Sequence, residues 1–473
     1  MKRNRTPKGF DGAAPSRGRF VNTGNGPAIQ PIEIGHKTHV ALVDPDTAFW
    51  SLVRRDQLGD ALNDSRLLRA YRKKSAEFAK EMRMLRFGLK PSAVYFNPTA
   101  RCNLNCTYCY IPEDMRRSGP QMTTAQLLDA LARLKDYFKT TVPKGRLPQI
   151  VFHGSEPLLA REAVFAGIEK FGDDFRFGVQ TNATLLDDSA IEFLKSHGCG
   201  IGLSLDAHEA SIANRTRKTW EGRGAFEHVI RAMDKLRGYS GYNVICTVTS
   251  ENMRHLVKTV DFFHKQEVPA CMLNILRCTL PRSRKVKPAD ADAAKYFTAA
   301  LDRTYELYRR TGRKLVVANF ANILVGIIAP TARRLMCDIS PCGGGRCFFA
   351  VAPNGDLFPC SEFIGLPRFC GGNLYKDSIP QVLKSEPFEK VIGRKVEEIE
   401  PCDRCAIRHF CGSPCPAEAH EMNGGMNKTG AFCEFYEEQV RYAFRLIADG
   451  KDAAFLWDGW DKDTKTAFDA SMI

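Results

Sequence analysis

The sequence predicts an α/β protein, a partial (β/α)6 barrel followed by a cysteine-rich metal-binding domain. Three observations predict it. Six short β-rich runs recur between residues 93 and 277, most of them separated by amphipathic stretches at helical spacing. Residues able to do chemistry stand at the C-terminal ends of those runs, where parallel α/β folds collect their sites. Cysteines crowd into two places, one just after the first run and one near the C-terminus.

The runs are AVYFN (93–97), QIVFHG (149–154), FRFGVQTN (175–182), GIGLSLD (200–206), NVICTVTS (243–250) and ACMLNILR (270–277). Between the first two lies TTAQLLDALARLKDYFK, in which Leu127, Leu128, Leu131, Leu134 and Phe138 share a helical face. A later stretch, DDSAIEFLKSHG, opens on acidic capping residues and closes on Gly198. Strands alternating with helices imply a parallel sheet with right-handed crossovers. Six units fall short of an eight-fold barrel, so the sheet is open and the barrel core spans 91–285. Ahead of it, residues 1–40 lack periodicity and read as a disordered basic arm, and 41–90 as a helical lead-in. A helical bridge (286–335) leads to the Cys-, Gly- and Pro-rich domain (336–445), whose PNGDLFPC signals a hairpin. The segment 446–473 reads as a C-terminal tail whose FLWDGW packs on the body.

With 44% hydrophobic and 26% charged residues, the 473-residue chain has ample material for a core. No apolar run approaches the roughly 20 residues that span a bilayer. The polar, basic N-terminus lacks the apolar region of a secretory signal, so the cytoplasm is the expected address and no membrane partner is expected. The net charge of +14 raises the question of nucleic acid, but the basic residues are spread along the chain without interleaved aromatics, which describes a generally basic surface. An acidic substrate or acidic redox partner fits the charge as well. Of the 17 cysteines, three lie at 102–109, ten at 337–433, and Cys199, Cys246, Cys271 and Cys278 are scattered as small buried apolar residues. Clustered cysteines in a large chain without a secretory signal indicate metal rather than disulfides.

CNLNCTYC places Cys102, Cys106 and Cys109 in a C-x3-C-x2-C loop with Tyr108 before the last thiol. Three thiolates on one compact loop bind three irons of a [4Fe–4S] cube and leave the fourth open. Such clusters normally take four cysteines, so a loop offering three reserves a position for another ligand. A zinc site recruiting a distant fourth ligand is the competing reading. The loop and the strand-end motifs together resemble the radical S-adenosylmethionine superfamily, over residues 92–280. The resemblance implies that S-adenosylmethionine chelates the open iron through its amino and carboxylate groups. One electron then breaks its S–C5′ bond, giving a 5′-deoxyadenosyl radical that abstracts substrate hydrogen. HGSEP is similar to the family's GGEP motif, with Ser155 at the second glycine; Gly154, Ser155, Glu156 and Pro157 are thereby assigned to the methionine amino group. QTNATLL, with Gln180 and Asn182, resembles the family's QTNGTLL. Ser204 and Asp206 of SLD, with Arg215 of IANRTR, resemble the residues that contact the ribose hydroxyls and carboxylate. Tyr108 completes the expected cofactor contacts.

A second signature follows. Cys402, Cys405, Cys411 and Cys415 form C-x2-C-x5-C-x3-C, with Cys433 beyond. Upstream, Cys342 is followed by Gly355 and Cys360. This resembles the SPASM extension, which implies two auxiliary [4Fe–4S] clusters: Cys342, Cys347, Cys360 and Cys415 for the first, and Cys402, Cys405, Cys411 and Cys433 for the second. Cys337 is an alternative to Cys347, and Cys370 is left over. A zinc ribbon competes for the C-x2-C pair.

The resemblance implies an enzyme that modifies a peptide or protein, with oxidative cross-linking of a ribosomally made peptide as the expected chemistry and reduced flavodoxin or ferredoxin as electron donor. Anaerobic sulfatase-maturating (formylglycine-forming) enzymes share both cysteine regions. They carry Asp directly after the Cys of G-x4-C, where this chain has Ser361 and then Glu362. A hydroxyl is a poor base at neutral pH, which leaves Glu362 as the candidate base. RNA-modifying radical enzymes of the methylthio-transferring type carry a Cys-bearing N-terminal domain, whereas residues 1–101 contain no cysteine.

Overall fold

The computed structural model describes residues 29–461. The arm expected at 1–28 and the end of the expected tail (462–473) lie outside the described residues. Residues 29–40, expected to be disordered, are instead part of a sheet. Strands β1 (Gln30–Ile32), β2 (His39–Val43) and β3 (Trp50–Arg54) pair antiparallel in that order. Ile32, Ile34, Val40, Leu42 and Val43 are all buried, so this short apolar set does in three dimensions what its brief periodicity did not announce. The lead-in is therefore half sheet. Its long helix, Ser65–Arg83, starts on Asp64, whose carboxylate accepts the Arg66 N–H at 2.6 Å.

The six runs form six parallel strands: β4 (Ala93–Phe96), β5 (Gln149–Phe152), β6 (Arg176–Thr181), β7 (Gly200–Ser204), β8 (Tyr242–Val248) and β9 (Ala270–Ile275). They lie side by side in chain order, with Val94 opposite Ile150 and Leu203 opposite Val244. Every residue of β4 and β5 is buried, as expected of parallel strands covered on both faces. The crossover helix Thr124–Thr141 opens with a reciprocal Thr123–Gln126 capping box and buries Leu127, Leu131, Leu134 and Phe138; Leu128 only edges onto the core. The helix Asp188–Ser196 opens on Asp187, whose side chain accepts the Ala190 N–H.

The sheet does not stop at six strands. Between the bridge helices Asp290–Thr311 and Ala318–Ile328, β10 (Val316–Val317) adds to the β9 edge. Just past it the Asn319 amide continues the ladder by bonding both the N–H and the C=O of Leu273, each at 3.0 Å. At the opposite edge β11 (Phe348–Val351) pairs parallel with β4, and β12 (Asp356–Phe358) and β13 (Gly372–Asn373) follow antiparallel. The hairpin of the cysteine-rich region thus extends the barrel sheet to ten strands and covers an edge that would otherwise expose unpaired backbone.

The N-terminal unit is bolted to the C-terminal half. The Trp50 indole donates to the Ile327 carbonyl at 2.7 Å, and Arg445 donates to the Ile34 carbonyl at 2.8 Å. Arg86, buried, grips both oxygens of Glu397 at 2.6 and 2.8 Å and also donates to the Ser340 carbonyl. Removing one partner of such a pair strands a buried charge. Glu397→Ala is therefore expected to lower unfolding stability by about 3 kcal/mol, read as a fall in denaturant midpoint with an unchanged slope.

Candidate active site

A cavity of about 350 Å³ opens at the C-terminal ends of the barrel strands. One wall is the Cys102–Cys109 loop with the ends of β5, β6 and β7; the facing wall carries Cys337, Cys342, Cys360, Glu362, Cys415 and Tyr436. The floor between them comes from β8 and β9, including Thr247, Asn274 and Arg277.

The loop is held at many points. The Cys102 N–H bonds the Arg116 carbonyl at 2.9 Å, and the buried Arg116 guanidinium returns bonds to the carbonyls of Ile111 and Leu104. The Asn105 and Thr107 N–H groups bond the carbonyls of Lys218 and Thr216 on the segment that follows β7. From the same segment the Trp220 indole donates to the Cys102 carbonyl at 2.9 Å. All three thiols are free and line the cavity. Burial pushes each thiol's pKa up, Cys106 to about 11 with Arg217 opposing the rise. Such thiols ionise readily only against a cation, which is what a metal cluster provides. The Leu104 N–H, 3.4 Å from Cys102 Sγ, is already aimed at a sulfur acceptor. Three thiols with an amide donor at one sulfur fit a cluster held by this loop.

At the β5 end, Gly154 has φ +103°, and a Cβ there would lie 1.4 Å from Asn97 Oδ1, so only glycine fits. Ser155 donates to the Ala100 carbonyl at 2.6 Å and lines the cavity. Glu156 and Pro157 are buried behind the wall. The Glu156 carboxylate accepts from Thr181 Oγ1, the Asn182 N–H and the Leu158 N–H, so it ties β5 to β6. Gln180, Asn182 and Ser204 line the cavity. Gln180 Oε1 is buried without a partner, and the Asn182 amide approaches Cys102 Sγ at 3.9 Å.

Asp206 is buried just behind this wall. It accepts the Tyr108 hydroxyl at 2.6 Å and the Thr247 N–H at 3.0 Å, with Arg217 at 4.0 Å. Arg217 also donates to the Tyr108 hydroxyl. The expectation for Arg215 is corrected here: its side chain is 54% exposed, paired at 3.8 Å with Glu251, and it stays outside the cavity. Arg217, two residues on, is the arginine that reaches it.

The C-terminal thiols sort into two sets. Cys337, Cys342, Cys360 and Cys415 face the cavity, whereas Cys347 is buried in the turn feeding β11, where its carbonyl accepts the Ser92 N–H. Cys402, Cys405, Cys411 and Cys433 neighbour one another: burial pushes the Cys411 thiol up first, and Cys433, Cys405 and Cys402 add to the rise. Cys370 turns to the Gly372 carbonyl instead. Among the described residues no three His, Cys, Asp or Glu side chains close to single-ion spacing. Glu362 lines the cavity with Oε2 unpartnered; burial pushes its pKa to about 7, against a downward pull from Arg277. Reading the sequence also passed over Arg277 and Glu418. Arg277 lines the cavity just past β9, and Glu418, buried behind it, accepts the Cys278 N–H from the helix Pro416–Asn423.

A family model described as Radical SAM superfamily matches residues 96–263, and one described as an iron–sulfur cluster-binding domain, SPASM, matches 342–406. An uncharacterized protein of Archaeoglobus fulgidus is 38% identical over 406 residues, 86% of this chain and 92% of its own. A cysteine-type anaerobic sulfatase-maturating enzyme of Clostridium perfringens is 24% identical over 379 residues, 76% of this chain and 98% of its own. Among solved structures, anSMEcpe with bound AdoMet aligns with a TM-score of 0.68 at 23% identity, covering 79% of this chain and 97% of that one. Streptococcus suis SuiB bound to precursor peptide SuiA aligns at 0.54 and 12% identity, covering 85% and 99%.

The two arginines make separate predictions. Arg217→Ala leaves the Asp206 carboxylate buried without its nearest cation and is expected to cost about 3 kcal/mol of stability. Arg215→Ala removes an exposed pair and is expected to change it by less than about 0.5 kcal/mol. Denaturant unfolding of the two variants side by side checks the assignment; equal losses would return Arg215 to contention.

Proposed function

We propose, from the premise that this chain belongs to the radical SAM superfamily and carries a SPASM iron–sulfur cluster-binding domain, that it is an enzyme making an oxidative cross-link in a ribosomally made peptide. The observation that carries this reading is the shared cavity: the radical-type loop and four C-terminal thiols face each other across one space lined by Glu362 and Arg277. A substrate residue in that space is within reach of both groups of thiols. SuiB, a fold neighbour, is bound to a precursor peptide, which supports a peptide as the substrate class here.

When bound, the loop cluster and S-adenosylmethionine supply the one-electron S–C5′ cleavage that furnishes a hydrogen-abstracting radical. The remaining work falls to this chain's residues. Cys102, Cys106 and Cys109 would hold the loop cluster. Gly154, Ser155, Gln180, Asn182, Ser204 and Arg217 present the polar surface on which the cosubstrate's amino, carboxylate and ribose groups would rest, with Tyr108 and Asp206 fixing Arg217. Glu156 and Pro157 hold that surface in place from behind. Cys402, Cys405, Cys411 and Cys433 would hold the second auxiliary cluster. For the first we assign Cys337, Cys342, Cys360 and Cys415, with Cys337 in place of Cys347, because Cys337 faces the cavity. Glu362, with its free carboxylate oxygen, takes the role of proton acceptor from substrate. Reduced flavodoxin or ferredoxin supplies electrons.

Sulfatase maturation is the second reading, favoured by the Clostridium perfringens relative. Ser361 stands against it where that family has a carboxylate, and its hydroxyl is buried without a partner. Short peptides encoded beside the gene discriminate the two. The expected product has lost a hydrogen pair, carries a new bond between two residues and gives no aldehyde reaction; an aldehyde-reactive formylglycine formed on a sulfatase-derived peptide would move the assignment. Glu362→Gln is expected to lower product formation at least ~100-fold, the scale of general-base catalysis.

Anaerobically reconstituted protein is expected to hold about twelve irons, about four per cluster. Cys337→Ala is expected to lose about four of them and Cys347→Ala none, measured by iron analysis. The reverse result restores Cys347. With dithionite and S-adenosylmethionine the protein is expected to release 5′-deoxyadenosine, and the Cys102→Ala, Cys106→Ala, Cys109→Ala triple variant none.

A further inference from the structure

Among the described residues, most buried arginines are fastened to carboxylates or backbone carbonyls, whereas Arg277 lines the cavity. Arg86 holds Glu397, Arg333 faces Asp338 at 2.8 Å, and Arg346 and Arg394 bond backbone carbonyls. Arg277, at the end of β9, makes a single hydrogen bond, to the Tyr436 hydroxyl at 3.4 Å, and no ion pair. A planar guanidinium carries five N–H donors, and at half-buried Arg277 those not facing Tyr436 are left to the cavity. The nearest ionisable groups are Tyr436, Cys415, Glu418 and Glu362. Glu418 is already engaged: its two oxygens accept the Cys278 N–H at 2.8 Å and the Ala431 N–H at 3.2 Å.

That engagement also fixes where Arg277 stands. Glu418 lies on the helix Pro416–Asn423, which begins immediately after Cys415, and its bond to Cys278 bolts the end of β9 to that helix. Arg284 adds a second bolt through the Glu421 carbonyl. On the other side, Asn322 bonds the Leu335 carbonyl and the Asp338 carboxylate, which holds Cys337 in the same cavity wall. Arg277 thus faces the same cavity as Cys337 and Cys415, with one donor met by the Tyr436 hydroxyl and the others open to that space. The cavity thiols Cys337 and Cys415, whose electrostatics Arg277 already influences, are candidates to fill them.

We propose that Arg277 is a positioning residue that donates to the sulfurs of the first auxiliary cluster, held by Cys337, Cys342, Cys360 and Cys415, and raises its reduction potential. The inference rests on the ligand assignment made above, not on the identity of the substrate. Hydrogen bonds to cluster sulfurs and nearby charge set such potentials. A cation stabilises the more negative, reduced form, so Arg277 biases this cluster toward accepting an electron rather than giving one. That is the direction an oxidative modification requires.

The test is an anaerobic redox titration of the reconstituted full-length protein followed by electron paramagnetic resonance, without substrate, comparing wild type, Arg277→Gln and Arg277→Lys. The titration is repeated in the loop triple variant, which removes the overlapping loop signal. Arg277→Gln is expected to move one auxiliary midpoint to a more negative potential by about tenfold in equilibrium constant, about 59 mV for one electron. Arg277→Lys, which keeps the charge and loses the fork, is expected to move it less in the same direction. Unchanged midpoints in Arg277→Gln overturn the proposal. If that variant fails to hold its iron, a wild-type midpoint in Arg277→Lys overturns it equally. Because no peptide is present, a failure to modify any peptide leaves this result standing, and an unshifted potential leaves the peptide reading standing.

Discussion

Parallel pairing of Phe348–Val351 with Ala93–Phe96 sets where the two groups of thiols lie. Because β11 runs parallel to β4 and β12 returns beside it, the two open ends of the hairpin lie together along β4, beside Tyr95, from where Cys342 and Cys360 reach the cavity. Cys342 and Cys360 flank that hairpin. Had it packed elsewhere, the C-terminal thiols would form a separate module facing no part of the barrel mouth. Tyr95 records the consequence: on β4 itself, it feels Cys337, Cys360 and Cys342 electrostatically and lies against His153 of the barrel mouth with rings tilted, centroids 5.3 Å apart.

Burial then sets the chemistry of those thiols. A cysteine in an apolar wall resists ionisation, and desolvation pushes the Cys337, Cys360 and Cys415 thiols upward, with the neighbouring Cys342 adding to the rise at Cys337 and Cys360. Binding a metal cluster must release their protons, and the binding energy is correspondingly part of the folding energy of a region with little apolar periodicity of its own. The structure supplements that energy with ordinary contacts. Arg394 alone gathers the carbonyls of Ser413, Met426 and Lys428 around the second set, and Glu418 joins both arms of the segment to β9.

The sequence showed the barrel because its strands are covered on both faces and read as continuous apolar runs, which need no knowledge of partners. It showed the radical loop because its three thiols are local. What it hid depended on distant contacts. The sheet at 30–54 has strands of three to five residues, too short for alternation to stand out beside the polar residues before it. Arg215 and Arg217 are two apart at the end of the helix Ala210–Thr216. Arg217 has left the helix, with φ −107° and ψ 96°, and is pinned inward because the residues on either side of it accept bonds from the cysteine loop. Helical periodicity says nothing about such a residue. The choice between Cys337 and Cys347 was undecidable by spacing, since each lies five positions from Cys342. Only the direction in which the chain enters β11 separates them, turning Cys347 beneath the hairpin and leaving Cys337 on the cavity.

Placing a cation and a free carboxylate on the same cavity has a physical logic that spacing alone cannot convey. Arg277 and Glu362 lie close enough to influence each other but form no ion pair, so neither is consumed by the other. The guanidinium remains available to sulfur, and the carboxylate remains available to a substrate proton. An oxidation that removes a hydrogen atom and then an electron must also dispose of a proton, and on the proposed reading this one cavity offers a separate place for each charge. The Arg277 side of that arrangement is held by the bond from the Cys278 N–H to Glu418. The division of labour is therefore built into the joint between barrel strand and cysteine-rich segment, which is also the joint that completes the cavity.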